Sequence, residues 1–232
     1  MEGKVVAVTG AFGALGRVVV AAAIARGASA AAIDSAPSPS PDLVAHFGPG
    51  ALILPGVNLA SAKDAEAAIA AVKARFGRLD VLINIAGGFV YEKTEDGGPE
   101  SWERMFASNL KSTVNASRAA LPALLQSGAG RIVNVGALGA LKGGAGMGPY
   151  AASKSGVHRF TESLAEELKG RGVTVNAVLP SVIDTPGNRA SMKDADFSRW
   201  VAPGDLAAIM LFLASAEAGA ITGALLPVTG SV

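Results

Sequence analysis

Short apolar runs alternate with amphipathic segments along the chain. Lys4 to Thr9 reads KVVAVT and predicts a strand, and Gly10 to Gly16, GAFGALG, predicts a tight turn. Arg17 to Arg26 then predicts a helix that Gly27 terminates, and a second strand over Ser29 to Ile33 stops at Asp34. Ser35 to Pro41, SAPSPSP, breaks regular structure, because proline fixes φ and removes a backbone donor. A third strand is expected at Ala51 to Leu54, ending near Gly56. Ser61 starts a helix with Asp64 in capping position; Ile69, Val72 and Phe76 continue it at helical spacing until Gly77. Asp80 to Ile85 predicts the fourth strand, which opens into Ala86-Gly87-Gly88, and the polar stretch Phe89 to Pro99 predicts a loop.

A long helix is expected from about Glu100, with Trp102, Met105, Phe106, Leu110 and Val114 as its buried stripe and a bend at Pro122. Arg131 to Val135 is the fifth strand and Gly136 to Pro149 a glycine-rich loop. Tyr150 begins a helix that runs to about Lys169, with Val157, Phe160, Leu164 and Leu168 as its apolar face. Val173 to Leu179 is the sixth strand, ended by Pro180. A mixed segment, Ser181 to Ala202, precedes a helix from Pro203 through Ser215, and Leu225 to Val228 is a final edge strand. Such alternation predicts a largely parallel sheet covered by helices on both faces, with right-handed crossovers. Residues 35–41 and 181–202 read as loops or lids inside one domain spanning 1–232.

Composition narrows the function. The 232 residues suit one large α/β domain with a substantial core. Half are hydrophobic but only 5% aromatic, so Ala, Val, Leu and Ile must carry that core. Twenty basic and 19 acidic residues leave a formal charge of +1, with no footprint for nucleic acid. Cysteine is absent, which excludes disulfides and thiolate chemistry. His46 and His158 belong to no metal-ligand constellation and read as surface or packing residues, so no metal is expected. No serine stands in a glycine elbow of the hydrolase type. The amino terminus lacks a basic region followed by a long apolar run, and Arg26 closes the run Val18 to Ala25 short of a bilayer span. The expectation is a cytoplasmic protein with no membrane partner.

Strand, glycine turn, helix, strand and acid in that order predict a Rossmann-type dinucleotide crevice. Gly10, Gly13 and Gly16 would let the backbone approach a pyrophosphate, and the following helix would offer free N–H groups to it. Phe12, Ala14 and Leu15 belong to the same turn; a purely structural tight turn is the plainer reading. Asp34 would accept hydrogen bonds from both adenosine ribose hydroxyls and repel an added 2′-phosphate. NAD(H) is therefore favoured. NADP(H) stays possible through Arg17, which either reaches a 2′-phosphate or solvates the helix start. Tyr150 and Lys154, four apart, share one helix face.

Taken together, TGAFGALG at Thr9–Gly16, Asp34, NIAG at Asn84–Gly87, Asn109, Tyr150-x-x-x-Lys154 and PSVIDTP at Pro180–Pro186 resemble the short-chain dehydrogenase/reductase family along nearly the whole chain. GALG at Gly13–Gly16, AGG at Ala86–Gly88 and the segment Asp184–Trp200 resemble its dihydropteridine reductase subgroup, whereas Asn109 looks more like the general family. The resemblance implies a single Rossmann-type domain with a mainly parallel seven-stranded sheet. It implies an NAD(H)-dependent oxidoreductase that transfers hydride between nicotinamide and a small carbonyl or alcohol. Reduction of a quinonoid dihydropterin is one alternative, and a dinucleotide-binding interaction protein without efficient turnover is another.

The resemblance also assigns roles. Tyr150 would exchange a proton with substrate. Lys154 would hold the cofactor ribose and, together with the oxidised nicotinamide, favour the tyrosinate, and Asn109 would support a proton-relay water or merely kink its helix. Asn58, beside Leu59, would meet adenine or cap its loop. Asn84 would anchor the backbone next to the nucleotide, and Ala86 and Gly87 would leave room for it. Pro180 ends its strand, Ile183 shapes a wall, and Thr185 would hold the nicotinamide amide. Asp184, Asn188 and Arg189 either touch substrate or form local salt bridges and caps. The chain departs from the family at Gly13-Ala14, where the middle glycine is shifted, at Ile85 for a second Asn, and at Ser181 for a glycine. The largest departure is Ala137, which replaces a catalytic Ser thirteen residues before the Tyr. Ser153, Asn134 or an ordered water would then have to substitute. A homotetramer is implied, a dimer second, through residues 100–126 and 150–169 with the small residues Ala119, Ala120, Ala151 and Ala152.

Overall fold

The computed structural model describes residues 1–232 and shows a single sheet of seven strands, all parallel. The strands are β1 (Val5–Thr9), β2 (Ser29–Ile33), β3 (Leu52–Leu54), β4 (Val81–Asn84), β5 (Gly130–Val135), β6 (Val173–Pro180) and β7 (Leu225–Val228). Their spatial order is β3-β2-β1-β4-β5-β6-β7. The chain thus winds outward twice from β1, and the direction reverses between β1 and β4, where a crevice opens at the carboxyl ends of the strands. The central strands are buried on both faces, as their continuous apolar runs require.

The helices are α1 (Ala14–Ala25), α2 (Pro41–Phe47), α3 (Ala62–Phe76), α4 (Pro99–Met105), α5 (Ser112–Gln126), α6 (Gly148–Glu167), α7 (Pro186–Ser191) and α8 (Pro203–Leu213). One core layer packs α1, α2 and α8 on the sheet through Val19, Val20, Leu43, Leu206, Met210 and Leu211. The other packs α3, α5 and α6 through Ile69, Val72, Leu124, Leu164 and Leu168. At the amino end of the sheet the buried Asp80 carboxylate accepts from Val5 N–H at 2.9 Å and from Arg78 at 2.9 and 2.6 Å. That pairing ties β1 to the residue preceding β4.

Inside the segment 181–202, read as a loop or lid, α7 and a 3-10 turn at Phe197–Arg199 form, and three further local expectations change. First, α2 was not expected after the proline-rich break; Ser40 caps it by accepting from Leu43 N–H, and Pro41 occupies its first turn, where a missing donor is harmless. Second, α1 starts at Ala14, inside the glycine turn rather than at Arg17. Third, the long helix is interrupted between α4 and α5 by a π-helical turn, Phe106–Lys111. Its buried side runs through Ser101, Met105, Asn109, Ser112 and Thr113. Of the expected stripe only Met105 is fully buried. Trp102 and Phe106 stand 41% and 39% exposed, because they lie one position round the helix from the inward row. The other boundaries shift by one to three residues; α6, for instance, begins at Gly148 instead of Tyr150.

Candidate functional site

The crevice above β1 and β4 has a volume of about 830 Å³ and is lined by the glycine turn, Asp34, Asn58, Leu59, the Ala86-Gly87 segment and Thr185. Its floor follows from sterics. Gly10 has φ +65°, and a Cβ there would lie 2.8 Å from Ala86 N. A Cβ on Gly16 would lie 2.1 Å from the Gly10 carbonyl oxygen. Both positions therefore demand glycine, whereas Gly13 sits at φ −68°, which any residue adopts. The shifted middle glycine of the sequence is thus accommodated without strain. Thr9 Oγ1 accepts from both Ile85 N–H (3.1 Å) and Ala86 N–H (3.2 Å), joining the two walls. The N–H groups of Ala14, Leu15 and Gly16 at the start of α1 have no backbone partner, and no side chain caps that end. Three free donors, a helix N-terminus and a cradle that a Cβ would fill make an anion seat of the kind a dinucleotide pyrophosphate needs.

Asp34 stands at the end of β2 with one oxygen accepting from Phe12 N–H at 2.8 Å and the other from Ala36 N–H at 3.0 Å. Each carboxylate oxygen has capacity for a further hydrogen bond, and the group lines the crevice. Arg17 is exposed and donates to the Phe12 carbonyl at 3.0 Å. It solvates the start of α1 and braces the same residue, Phe12, whose N–H Asp34 accepts. Asn58 accepts from Ala60 N–H at 3.1 Å, the loop-capping role, while its residue still faces the crevice.

Asn109 and Lys154 stand behind the crevice wall at Gly87, and Tyr150 precedes Lys154 by one turn on the same face of α6; none of the three is among the residues that line the crevice itself. A Cβ on Gly87 would lie 2.4 Å from Asn109 Oδ1 and 3.4 Å from Lys154 Nζ, so the crevice wall at Gly87 abuts both side chains. The π-helical turn places Asn109 there, as such turns often do at functional sites. Its Oδ1 accepts from Gly88 N–H (2.8 Å) and its Nδ2 donates to the Gly88 carbonyl (3.1 Å) and Ser153 Oγ (2.9 Å). Asn109 thus staples the loop after β4 to α6. Lys154 is buried and donates to the Val135 carbonyl at 2.7 Å. Burial pushes its ammonium down to about 8. Burial pushes the Tyr150 hydroxyl the other way, up to about 12. The protein groups by themselves therefore hold Tyr150 as the neutral phenol; the expected tyrosinate is not favoured by Lys154 alone. The Phe89 ring, in the loop after β4, meets Tyr150 edge-on with centroids 4.9 Å apart.

Several expectations are corrected. Asn84 does not line the crevice: it is buried and donates to Ser117 Oγ (3.1 Å) and Asn134 Oδ1 (2.9 Å), bridging β4, α5 and β5. Neither Pro180 nor Ile183 lines it. Pro180 is the last residue of β6, and Ile183 makes an isolated bridge to Val201. Ile85, which departs from the family's second Asn, packs against the core and also lines the crevice. Thr185 lines it too, but its hydroxyl caps α7 by accepting from Asn188 N–H. Asp184 and Arg189 form an exposed two-bond ion pair at 2.5 and 2.7 Å, and Asn188 donates to the Ile183 carbonyl, so these three make local salt bridges and caps. Ala137 packs with Ala140 and Ala151 against Tyr150, and no hydroxyl replaces the missing one. Ser153 Oγ is committed to the Tyr150 carbonyl and to Asn109, and Asn134 to Thr161 and Asn84, so neither substitutes. His158, read as a surface or packing residue, is buried and accepts the Ala137 N–H at 3.2 Å on Nε2. No group of His, Asp or Glu is arranged to hold a metal ion, and no helix is long and apolar enough to cross a membrane.

This geometry agrees with what the chain is similar to. A family profile described as short chain dehydrogenase matches residues 4–196. The chain is 34% identical over 243 residues to the 3-oxoacyl-(acyl-carrier-protein) reductase FabG of Vibrio cholerae, across 100% of this chain and 98% of that one. It is 31% identical over 248 residues to 2-(S)-hydroxypropyl-CoM dehydrogenase 3 of Xanthobacter autotrophicus, across 100% and 97%. The crystal structure of a Brucella melitensis 3-ketoacyl-(acyl-carrier-protein) reductase complexed with NADH matches the fold with a TM-score of 0.91 at 29% identity, covering 100% of this chain and 99% of that one. A Mycobacterium avium carveol dehydrogenase in complex with NAD gives 0.87 at 27%, covering 100% and 98%. With a seven-stranded parallel sheet, a glycine turn over its switch point and a Tyr–Lys pair beside it, the chain belongs to the short-chain dehydrogenase/reductase family of oxidoreductases.

Proposed function

We propose that this chain is an NAD(H)-dependent oxidoreductase that exchanges hydride with a small carbonyl or alcohol. The observation that carries the reading is that Asn109 and Lys154 meet behind the crevice wall at Gly87, with Tyr150 one turn before Lys154 on the same face of α6. Gly10, Phe12, Gly13, Ala14, Leu15 and Gly16 would seat the pyrophosphate, Asp34 the adenosine ribose, and Asn58 and Leu59 the adenine. Ala86, Gly87, Lys154 and Thr185 would border the nicotinamide half. Bound nicotinamide supplies or takes the hydride. Tyr150 carries the proton: a phenol held neutral up to about 12 is a proton donor at pH 7, which suits the reductive direction. Lys154, anchored on the Val135 carbonyl, holds a positive charge next to it. Asn109 keeps the Gly88 segment and α6 at a fixed separation. Asp34 is the reason for preferring NAD(H), since a 2′-phosphate would face its carboxylate.

One feature favours a second reading, quinonoid dihydropterin reduction. Ala137 leaves the substrate oxygen with Tyr150 as its side-chain donor, because Ser153 and Asn134 are engaged elsewhere. A conjugated acceptor spreads developing charge and depends less on a second donor. The relatives named above are two 3-oxoacyl- or 3-ketoacyl-(acyl-carrier-protein) reductases and two dehydrogenases, so this reading rests on Ala137. Oxidation of NADH and of NADPH should be followed with ketones, aldehydes, 3-oxoacyl thioesters and quinonoid dihydropterin, and reduction of the oxidised cofactors with alcohols. Turnover of a ketone, aldehyde, 3-oxoacyl thioester or alcohol with NAD(H) preferred supports the proposal, and turnover of quinonoid dihydropterin alone supports the second reading. Tight NADH binding without turnover in any arm would favour a noncatalytic binding protein.

We also propose a homotetramer, with a dimer second. Trp102 and Phe106 lie exposed one turn apart on the outer face of the α4–α5 segment, an apolar surface that a second copy would cover.

A further inference from the structure

The face of α6 that carries Tyr150 and Lys154 carries a third polar side chain, His158. The three recur every fourth residue and so lie along one side of the helix. Lys154 donates to the Val135 carbonyl at 2.7 Å, and Ala137 N–H donates to His158 Nε2 at 3.2 Å. The two bonds bracket Gly136, whose own N–H is held by the Val178 carbonyl at 2.9 Å. A Cβ on Gly136 would lie 2.5 Å from His158 Nε2, so glycine is what lets the ring reach the turn. The histidine is 2% exposed and does not line the crevice. Ala137, which it holds, is packed against Tyr150 at the position where a substrate-oxygen donor is missing.

We propose that His158 is a positioning residue: by accepting the Ala137 N–H it pins the turn after β5 to the helix face bearing Tyr150 and Lys154, and so sets the gap between the proton donor and the wall at Ala137. The inference rests on the oxidoreductase reading for its kinetic consequence, but not for its structural one. Nε2 accepts only in the neutral ring. Burial, then the positive charges of Arg159 and Lys154, push His158 down to about 4, so the acceptor persists at neutral pH. Losing it would leave a buried N–H unpaired and free the turn to shift, and shifts of about 1 Å at a reacting centre can cost on the order of a hundredfold in rate.

The test compares wild type with His158→Gln, whose amide oxygen reaches the Ala137 N–H, with His158→Leu, which has no acceptor, and with His158→Asn, whose amide is too short. In each, kcat, KM, the Kd for NADH and hydrogen exchange at the Ala137 amide are measured at pH 7. His158→Leu and His158→Asn should lower kcat about tenfold or more, speed exchange at Ala137, and leave the NADH Kd within about twofold; His158→Gln should recover both kcat and protection. A merely structural histidine would lower stability without this split or this rescue. Wild-type kcat in the His158→Asn protein, or His158→Gln that protects Ala137 without recovering kcat, would overturn the proposal. If wild type turns over no substrate, the oxidoreductase reading fails by itself. The exchange data then decide alone, and an Ala137 amide equally protected in all four proteins would overturn the inference.

Discussion

The Asp34 carboxylate accepts the Phe12 N–H across 2.8 Å, while the Phe12 carbonyl takes the Arg17 guanidinium at 3.0 Å. The two peptides that flank Phe12 in the glycine turn are thus held one by each side chain, and the grip ties cofactor selection to loop shape. Asp34 is both the group that would meet the ribose and a strut of the turn beneath it. NADH should bind this protein more tightly than NADPH. Asp34→Ala should weaken NADH about tenfold or more and narrow the gap between the two cofactors. Isothermal titration measures both, and equal or tighter NADPH binding by the wild type would reverse the cofactor assignment.

Tyr150→Phe keeps the ring and its edge contact with Phe89 but removes the proton. Turnover should fall by roughly 10²–10⁴, with NADH affinity changed less than about threefold. Substantial activity in this variant would move proton transfer to another group.

Ala137→Ser restores a hydroxyl beside Tyr150 in the small pocket formed with Ala140 and Ala151. Removing one comparable donor in other enzymes costs roughly 3–4 kcal/mol, so a simple ketone, which concentrates charge on one oxygen, should gain most. The kcat/KM for a ketone should rise relative to that for quinonoid dihydropterin at fixed NADH. An unchanged ratio in a correctly folded variant would break the link between Ala137 and substrate class.

The buried histidine also makes the fold acid-sensitive. His158 titrates near 6.5 when free and near 4 in the folded chain. Between those values the unfolded chain binds more protons than the folded one, so stability falls as pH drops from about 6.5 towards 4. Urea unfolding across that window should show the loss, and His158→Gln should flatten it. A parallel pH dependence in both proteins would assign the effect to other groups.

The exposed Trp102 and Phe106 give the assembly its own test. Light scattering should report a tetramer at assay concentration, and Trp102→Glu should shift it to smaller species. A wild-type monomer would rule out both the tetramer and the dimer.

The order of strands and helices, the glycine turn, Asp34 and the Tyr150–Lys154 pair were legible in the sequence because each follows from local rules: apolar runs, turn residues and a four-residue helical spacing. Ser40 and Pro41 were legible only as a break, because a seven-residue helix has too few turns to show a period. Tertiary structure alone decided the rest. Packing put Ser101 and Met105 of α4 on the buried row and left Trp102 outside, and the π-helical turn that follows carries the buried Asn109. Packing of α6 against the end of β5 joined His158 to Ala137, 21 residues apart in sequence, and packing of α6 against the π-helical turn joined Asn109 to Ser153, 44 apart. Pairing of β4 with β5 set Asn84 in a buried bridge with Asn134, 50 residues on. Local periodicity says which way a side chain faces on its own element, but such hydrogen bonds depend on how separate elements cross, and that is set by the packing of the whole sheet.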